Sequence, residues 1–271
     1  MYNMSTNYWI DDMGVATPSN QNFHLHAHDN YEILLFVKGD TRFIVEENVY
    51  NLKPYDVIVV KKNQLHRAFH NSPMHYHRIV LNILPTFFIE NRCEEYENLF
   101  TSVTQDSGNK IEAEAVKRSG LYNVLMRIRD YSQNYQNSYT PVVRAGIIEF
   151  LFLLNKIKLQ PEPPTRNMQL KEIIAYINNH FTEIFSLDDL AEKFFISKYY
   201  LCHTFHQETG LTVHQYLTKK RLLLAKELLT SDKTISEVAE LVGFNSYSSF
   251  YRAYTNEFGM SPKYAPRNKT N

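Results

Sequence analysis

One pattern is written twice in the last third of this chain, over residues 186–210 and again over 234–259. Each copy opens on a hydroxyl residue with an acid three positions later, then runs through Leu, Ile, Val and Ala. It turns, restarts on a second Ser, and closes on a glycine. Every one of these features is a helix start or stop signal, so this part of the chain is restricted to pairs of short helices.

In the first copy Ser186 can accept a hydrogen bond from an N–H of the first turn, and Asp188 and Asp189 face the positive end of the helix. Leu187, Leu190, Ala191 and Phe194 share one face, and the helix is expected to stop near Phe195 and Ile196. Ser197 caps the next helix, whose buried side is Leu201 and Phe205 with Tyr200 or Thr204, and Gly210 closes it. In the second copy Thr234 and Glu237 form a capping box, and Ile235, Val238, Ala239 and Val242 make the apolar stripe. Gly243 ends that helix, Phe244 anchors the turn, and Ser246 caps a helix that buries Phe250, Tyr254 and Phe258 before Gly259. Between the copies, Thr212 and Gln215 start a helix reaching about Leu229, with Leu217, Leu224, Ala225 and Leu228 as its core stripe. At 1.5 Å per residue it is about 26 Å long. A plain helical bundle also uses caps and glycines, but it has no reason to repeat them in the same order. Tandem helix-turn-helix units suit a protein that reads two adjacent major grooves of double-stranded DNA.

The tail resembles the DNA-binding domain of the AraC/XylS family of transcription regulators. The resemblance is carried by Leu187, Leu190-Ala191, Ser197, Tyr200-Leu201, Phe205, Thr209-Gly210, Tyr216-Leu217, Arg221, Ala225, Leu228-Leu229, Ile235, Val238-Ala239, Gly243-Phe244, Ser249-Phe250, Arg252, Phe258-Gly259 and Ser261-Pro262. It spans about residues 168–267. The segment Ser261-Pro262-Lys-Tyr264-Ala-Pro266 stands one residue out of step with the Tyr-Arg pair that the family places beyond its Ser-Pro.

Solvent-facing positions early in the second helix of each copy are the ones able to enter a groove. They are Lys198, Tyr199, Cys202, His203 and His206 in the first copy. In the second they are Asn245, Tyr247, Ser248, Tyr251, Arg252 and Thr255. The resemblance implies reading positions at Tyr199, Cys202 and His203, and at Tyr247, Ser248 and Arg252. Arg252 could fork onto a guanine, clamp a phosphate or form an internal salt bridge. Lys219 and Lys220 either meet DNA backbone or make a solvated face, and Arg221 is expected to be structural.

Charge excludes little: 29 basic residues balance 29 acidic ones. The tail carries only a slight basic excess, so DNA affinity has to come from how charge is arranged. Only Cys93 and Cys202 are present, far apart, which makes a disulfide framework unexpected and the cytoplasm the natural compartment. No apolar stretch is long enough to cross a bilayer, the N-terminus lacks the form of a signal peptide, and no membrane partner is expected. Residues 159–167, rich in proline and polar side chains, read as an interdomain linker.

Ahead of Pro85 the chain reads as β. Short strands are expected over 31–37, 41–45, 50–52, 56–60, 66–69 and 77–84, with turns at Gly39-Asp40, Glu47-Asn48 and Pro54. Many short strands at close spacing suggest a sandwich or small barrel. Inside this region His26, His28 and Glu32 share parity, so on extended chain they can face one side of a barrel wall, and His66 follows later. Three imidazoles and a carboxylate could hold a divalent metal, hydrogen-bond a sugar hydroxyl, or simply line the barrel mouth. The spacing of His26, His28, Glu32 and Gly39 resembles the first motif of the cupin fold. Its second motif is degraded, with Lys61 and Asn63 where Pro and Gly are usual and Tyr55 in place of a turn glycine. The AraC/XylS resemblance implies such a sensor domain ahead of the tail, working without metal, so no cofactor is expected. Effector-binding candidates are Phe23, His26, His28, Tyr31, Glu32, Arg42 and His66, polar groups beside aromatic faces that suit a carbohydrate or other small polar ligand.

Two helical patterns follow, over 112–135 and 141–157, the second apolar on more than one side. By resemblance they form a dimer interface; packing within the domain is the other reading. The expected fold is a two-domain α+β chain. A cupin-like β-barrel with a helical dimerisation pair occupies 1–158, a linker 159–167, and an all-α domain with two helix-turn-helix units 168–271. The expected function is that of a cytoplasmic, homodimeric, ligand-responsive transcription activator, with RNA polymerase as a further partner and no catalytic residues. Two alternatives stay open: a metal-dependent cupin enzyme fused to a DNA-binding domain, and an effector-independent regulator.

Overall fold

The computed structural model describes residues 7–101, 108–134, 140–157, 168–183 and 185–265. The chain divides into two compact units, Met1–Thr165 and Arg166–Asn271. The proline-rich segment expected as a linker lies outside the described residues.

The first unit is built on eight strands: β1 (Tyr8–Val15), β2 (Tyr31–Lys38), β3 (Thr41–Val45), β4 (Asn48–Asn51), β5 (Val57–Val60), β6 (His66–His70), β7 (Tyr76–Ile83) and β8 (Lys110–Ile111). They form a five-stranded sheet in the order β1-β7-β2-β5-β8 and a three-stranded sheet in the order β4-β3-β6. All pairings are antiparallel.

β2 is buried from Tyr31 through Phe36 because both faces of its sheet are covered. Leu34 and Phe36 pack across to Phe43, Val45, Tyr50 and Ala68 of the smaller sheet. Tyr31, Ile33 and Leu35 point the other way, into a core shared with Phe87, Phe88, Leu125, Ile128, Ile147 and Leu151. The helices of that layer are α1 (Pro85–Glu90), α2 (Asn98–Thr101), α3 (Ala113–Arg118), α4 (Leu121–Asn134) and α5 (Thr140–Asn155). The single helix expected over 112–135 is broken, because Gly120 sits at φ +82 between α3 and α4. A left-handed residue stops a helix, and glycine adopts that conformation without steric cost. Within α5, Gly146 permits close approach to α4: an added Cβ would lie 3.0 Å from Ile128.

The second unit is helical: α6 (Met168–His180), α7 (Leu187–Lys193), α8 (Lys198–Thr209), α9 (Val213–Leu228), α10 (Ile235–Leu241) and α11 (Tyr247–Phe258). Its caps follow the side-chain chemistry closely. The Ser186 hydroxyl accepts from the Asp189 N–H while the Asp189 carboxylate accepts from the Ser186 N–H, at 3.1 and 2.8 Å. Thr212 with Gln215, and Thr234 with Glu237, form the same reciprocal box. Gly210 and Gly259 end α8 and α11 in the left-handed conformation at φ 76 and 68.

α9 packs against α8, α10 and α11, and so ties the two copies together. Its buried stripe is Val213, Tyr216, Leu217, Leu222 and Ala225; Leu224 and Leu228, expected in the stripe, are half-buried. Tyr200, considered for the buried side of α8, is 44% exposed. Arg221 on α9 donates from Nε to the Phe181 carbonyl at 2.6 Å and from a terminal nitrogen to the Glu183 carbonyl at 2.8 Å. Gly243, at φ +89 in the second turn, is buried against the same loop. No helix among the described residues is long and apolar enough to cross a membrane.

Candidate functional site

The two second helices carry the candidate reading faces. α8 starts where the Ser197 hydroxyl accepts from the Tyr200 N–H, and it buries Leu201 and Phe205. This turns Lys198, Tyr199, His203 and His206 to solvent and leaves Cys202 half-exposed. Tyr199, 79% exposed, stacks on His203 with ring centroids 5.9 Å apart. Lys198 donates to Asp188 at 2.8 Å, a fully exposed pair that salt and solvent screen. A phosphate could therefore take Lys198 from Asp188 at little cost.

α11 is built the same way. The Ser246 hydroxyl accepts from the Ser249 N–H, and Phe250 and Tyr254 are buried. Asn245, Tyr247, Ser248, Tyr251 and Arg252 face solvent, whereas the Thr255 hydroxyl is buried. Arg252 has no carboxylate partner among the described residues; its Nε donates at 3.4 Å to the Ser248 carbonyl of its own helix. The internal salt bridge considered for it is thus not formed. Lys219 pairs with Glu257, and the Lys220 ammonium lies 5.7 Å from the Phe181 ring centroid.

A second site lies between the two sheets of the first unit, a cavity of about 290 Å³. Glu32 enters it from the even-numbered face of β2, buried. Its carboxylate lies 3.0 Å from His28 Nε2 and 3.5 Å from His66 Nε2. His26 and His28 are not on a continuous strand. His26 instead forms a two-bond bridge to His66, N to O at 3.1 and 2.9 Å, which places the two rings 4.3 Å apart. The Nδ1 atoms of His26, His28 and His66 face the backbone carbonyls of His24, Asn30 and Gln64, leaving the Nε2 atoms for other partners. Burial alone would raise the Glu32 pKa, but His66 and His28 beside it hold it well below its ordinary value. Desolvation at the cavity wall and the neighbouring His66 bring His26 down to about 4. Ligand atoms of His26, His28 and His66 lie within 4.8 Å of one another, so these three and Glu32 are the residues that could hold a divalent ion.

Phe23, His26, His28, Glu32 and His66 line the cavity as a group. Tyr31 and Arg42, also candidates, do not. Tyr31 sits on the odd-numbered face of β2, packs on Phe88 and Phe100, and donates its hydroxyl to Glu97 at 2.5 Å. Arg42 alternates with the inward-facing Phe43, and its guanidinium lies over the Phe69 ring at 4.2 Å. Sequence reading missed the contributions of β1 and β7, namely Trp9, Asp11, Tyr76, Arg78 and Asn82. Alternation along 76, 78, 80 and 82 was the available signal. Tyr55 and Asn63, which stand at degraded motif positions, keep the left-handed backbone usually left to glycine, at φ 76 and 60.

Residues 14–114 match the family model of the AraC-like ligand binding domain, and residues 190–266 match that of a helix-turn-helix domain. Over 240 residues the chain is 26% identical to LumQ of Photobacterium leiognathi, described as a probable transcriptional regulator, covering 88% of this chain and 89% of LumQ. The HTH-type transcriptional activator RhaS of Citrobacter koseri is 25% identical over 246 residues, covering 89% of this chain and 86% of RhaS. The chain belongs to the AraC family.

This AraC-family protein is a DNA-binding transcription regulator with a ligand-binding domain. The ligand-domain match includes every cavity histidine, and the helix-turn-helix match includes both α8 and α11. Among solved structures, ToxT from Vibrio cholerae aligns with 95% of this chain and 97% of its own, at 12% identity and a TM-score of 0.42.

Proposed function

We propose that this AraC-family regulator is a cytoplasmic homodimer that activates transcription when a small polar, carbohydrate-like molecule occupies the cavity between its sheets. The observation that carries the reading is the cavity itself: the Nε2 side of three imidazoles and a buried carboxylate stand beside the aromatic faces of Trp9, Phe23, Phe43 and Tyr76. Convergent polar groups beside flat apolar surface are what a sugar-like ligand requires. RhaS, an activator, supports the sign of the response, and RNA polymerase is the partner that activation needs. Domain limits of 1–158 and 168–271 go with this reading.

DNA is read by Lys198, Tyr199, Cys202, His203 and His206 in the first unit, and by Asn245, Tyr247, Ser248, Tyr251 and Arg252 in the second. With no carboxylate partner, Arg252 has its guanidinium available for a base or a phosphate. Arg252→Ala is expected to weaken operator binding by about 1–3 kcal/mol, measured by fluorescence anisotropy on the target promoter. A loss confined to one base position marks base reading, and a loss uniform over sequences marks phosphate contact. An unchanged affinity removes Arg252 from the interface.

Dimerisation is assigned to the helical layer of the first unit. Val142 and Phe152 of α5 are 48% and 43% exposed, and Ile89 of α1 is 63% exposed. Exposed apolar side chains on a helix already buried along its other side suit self-association. The double variant Val142→Glu/Phe152→Glu should sediment as a monomer where the unsubstituted protein sediments as a dimer. If both sediment alike, the interface lies elsewhere.

A further inference from the structure

We propose that the effector is a monoanion, a small hydroxylated carboxylic acid of the sugar-acid type, whose carboxylate seats on Arg78. This rests on the reading of the first unit as a ligand sensor and goes on to name the class of ligand.

Arg78 reaches the cavity from β7, on the same face as Tyr76, Val80 and Asn82. Among the described residues no carboxylate pairs with its guanidinium, and its Nε is buried without a hydrogen-bond acceptor. A buried guanidinium N–H without an acceptor is costly, and a bound carboxylate satisfies it with the planar fork geometry that arginine favours. Two residues along the strand, Tyr76 is fully buried and its hydroxyl likewise lacks a partner. Residues two apart on a strand share a face, so the two orphaned groups stand together. The positive charge is felt locally: Arg78 is one of the charges that disfavour protonation of nearby His70.

The rest of the cavity has the opposite character. Glu32, already engaged by His28 and His66, and Asp11 also line it. These groups accept from hydroxyls but repel a second negative charge. One cation facing two carboxylates matches a monoanion; a phosphate monoester, carrying close to two charges, is disfavoured. A volume of about 290 Å³ lies at the small end of ligand pockets, the scale of a single sugar ring or a short polyhydroxylated chain.

Full-length protein is assayed by thermal shift and calorimetry against three matched pairs: D-galacturonate with D-galactose, D-glucuronate with D-glucose, and D-gluconate with D-glucitol. The expected result is that at least one acid stabilises the protein and binds about tenfold or more tightly than its neutral partner. Arg78→Gln should lose that preference, and Arg78→Lys, which keeps the charge without the fork, should retain part of it. A neutral member binding as tightly as its acid overturns the proposal while leaving the sensor reading in place. So does an acid whose affinity is unchanged in both variants. Absence of any shift across all six compounds counts against the sensor reading itself, and the proposal goes with it.

Discussion

Replacing Gly243 with alanine should destabilise the helical unit by about 3 kcal/mol or more, far beyond the usual effect of one added methyl group. Two penalties combine. The residue sits at φ +89, where an L-amino acid is strained, and its new Cβ would lie 2.3 Å from the Thr182 carbonyl oxygen and 3.0 Å from the carbonyl carbon. That carbonyl cannot simply turn aside. The flanking carbonyls of Phe181 and Glu183 are held by Arg221, whose guanidinium carbon lies 3.2 Å from the same added Cβ. Relief therefore requires giving up charge-assisted hydrogen bonds made to a half-buried arginine. Gly259→Ala supplies the control, because Gly259 is also left-handed, at φ +68, but an added Cβ meets nothing within 4 Å. It should cost only about 1 kcal/mol. Circular dichroism melts compare the two variants, and equal melting temperatures would show that packing against Thr182 contributes nothing.

Acidification between pH 6.5 and 4.5 should weaken the β unit, with His70 as a principal cause. Its side chain is buried, contacts the rings of Phe23 and Tyr76, and shares a 2.9 Å hydrogen bond with the Thr41 hydroxyl through Nδ1. Burial, and then the positive charges of Arg67 and Arg78, bring its pKa down from 6.5 to about 4. Below pH 6.5 the unfolded chain takes up a proton that the folded chain refuses. Stability is therefore complete above the unfolded value and is lost as pH falls toward the folded one. The limiting loss for a group shifted this far is about 3 kcal/mol. His26 acts in the same direction, though its exposed ring makes its share smaller. Glu32 adds its own acid sensitivity only below its ordinary 4.5, outside this window. Trp9 is the sole tryptophan and lies in β1, so its fluorescence during urea unfolding reports this unit alone. His70→Phe, which keeps a ring and removes the titration, should flatten the dependence of stability on pH; an unchanged slope would exonerate His70.

The two halves of the chain differ in how openly their sequences declare the structure. The tail is legible because its signals are local: a cap and its N3 partner, or a glycine after a stripe, act within one turn of backbone. Longer helices are harder, since 3.6 residues per turn lets a stripe drift, and Leu222 rather than Leu224 proves fully buried in α9. α6 was passed over although Leu170, Ile173, Ile174 and Ile177 carry helical spacing. In the β unit the difficulty is different. β2 is buried on both faces, so no alternation of polar and apolar residues shows that Glu32 enters the cavity while Tyr31 leaves it. β1 escaped notice because Asp11 and Asp12 interrupt its apolar residues, and pairing with β7, distant in sequence, is what makes it a strand. Arg78 was invisible for the same reason: its meaning depends on the absence of a carboxylate opposite it, which only the folded chain reveals.

The joint formed by Arg221, the carbonyls of Phe181 and Glu183, and Gly243 has a further bearing on the proposed DNA complex. It binds the entry to the first helix pair, the connecting α9 and the second turn into one piece, leaving no hinge at that point. Calipers with a soldered pivot cannot open to suit what they measure. On the proposed mode of binding, any mismatch between the span of the two helices and the pitch of the groove falls on the duplex. The base pairs lying between the contacted segments then enter the binding energy through their stiffness, though no side chain touches them.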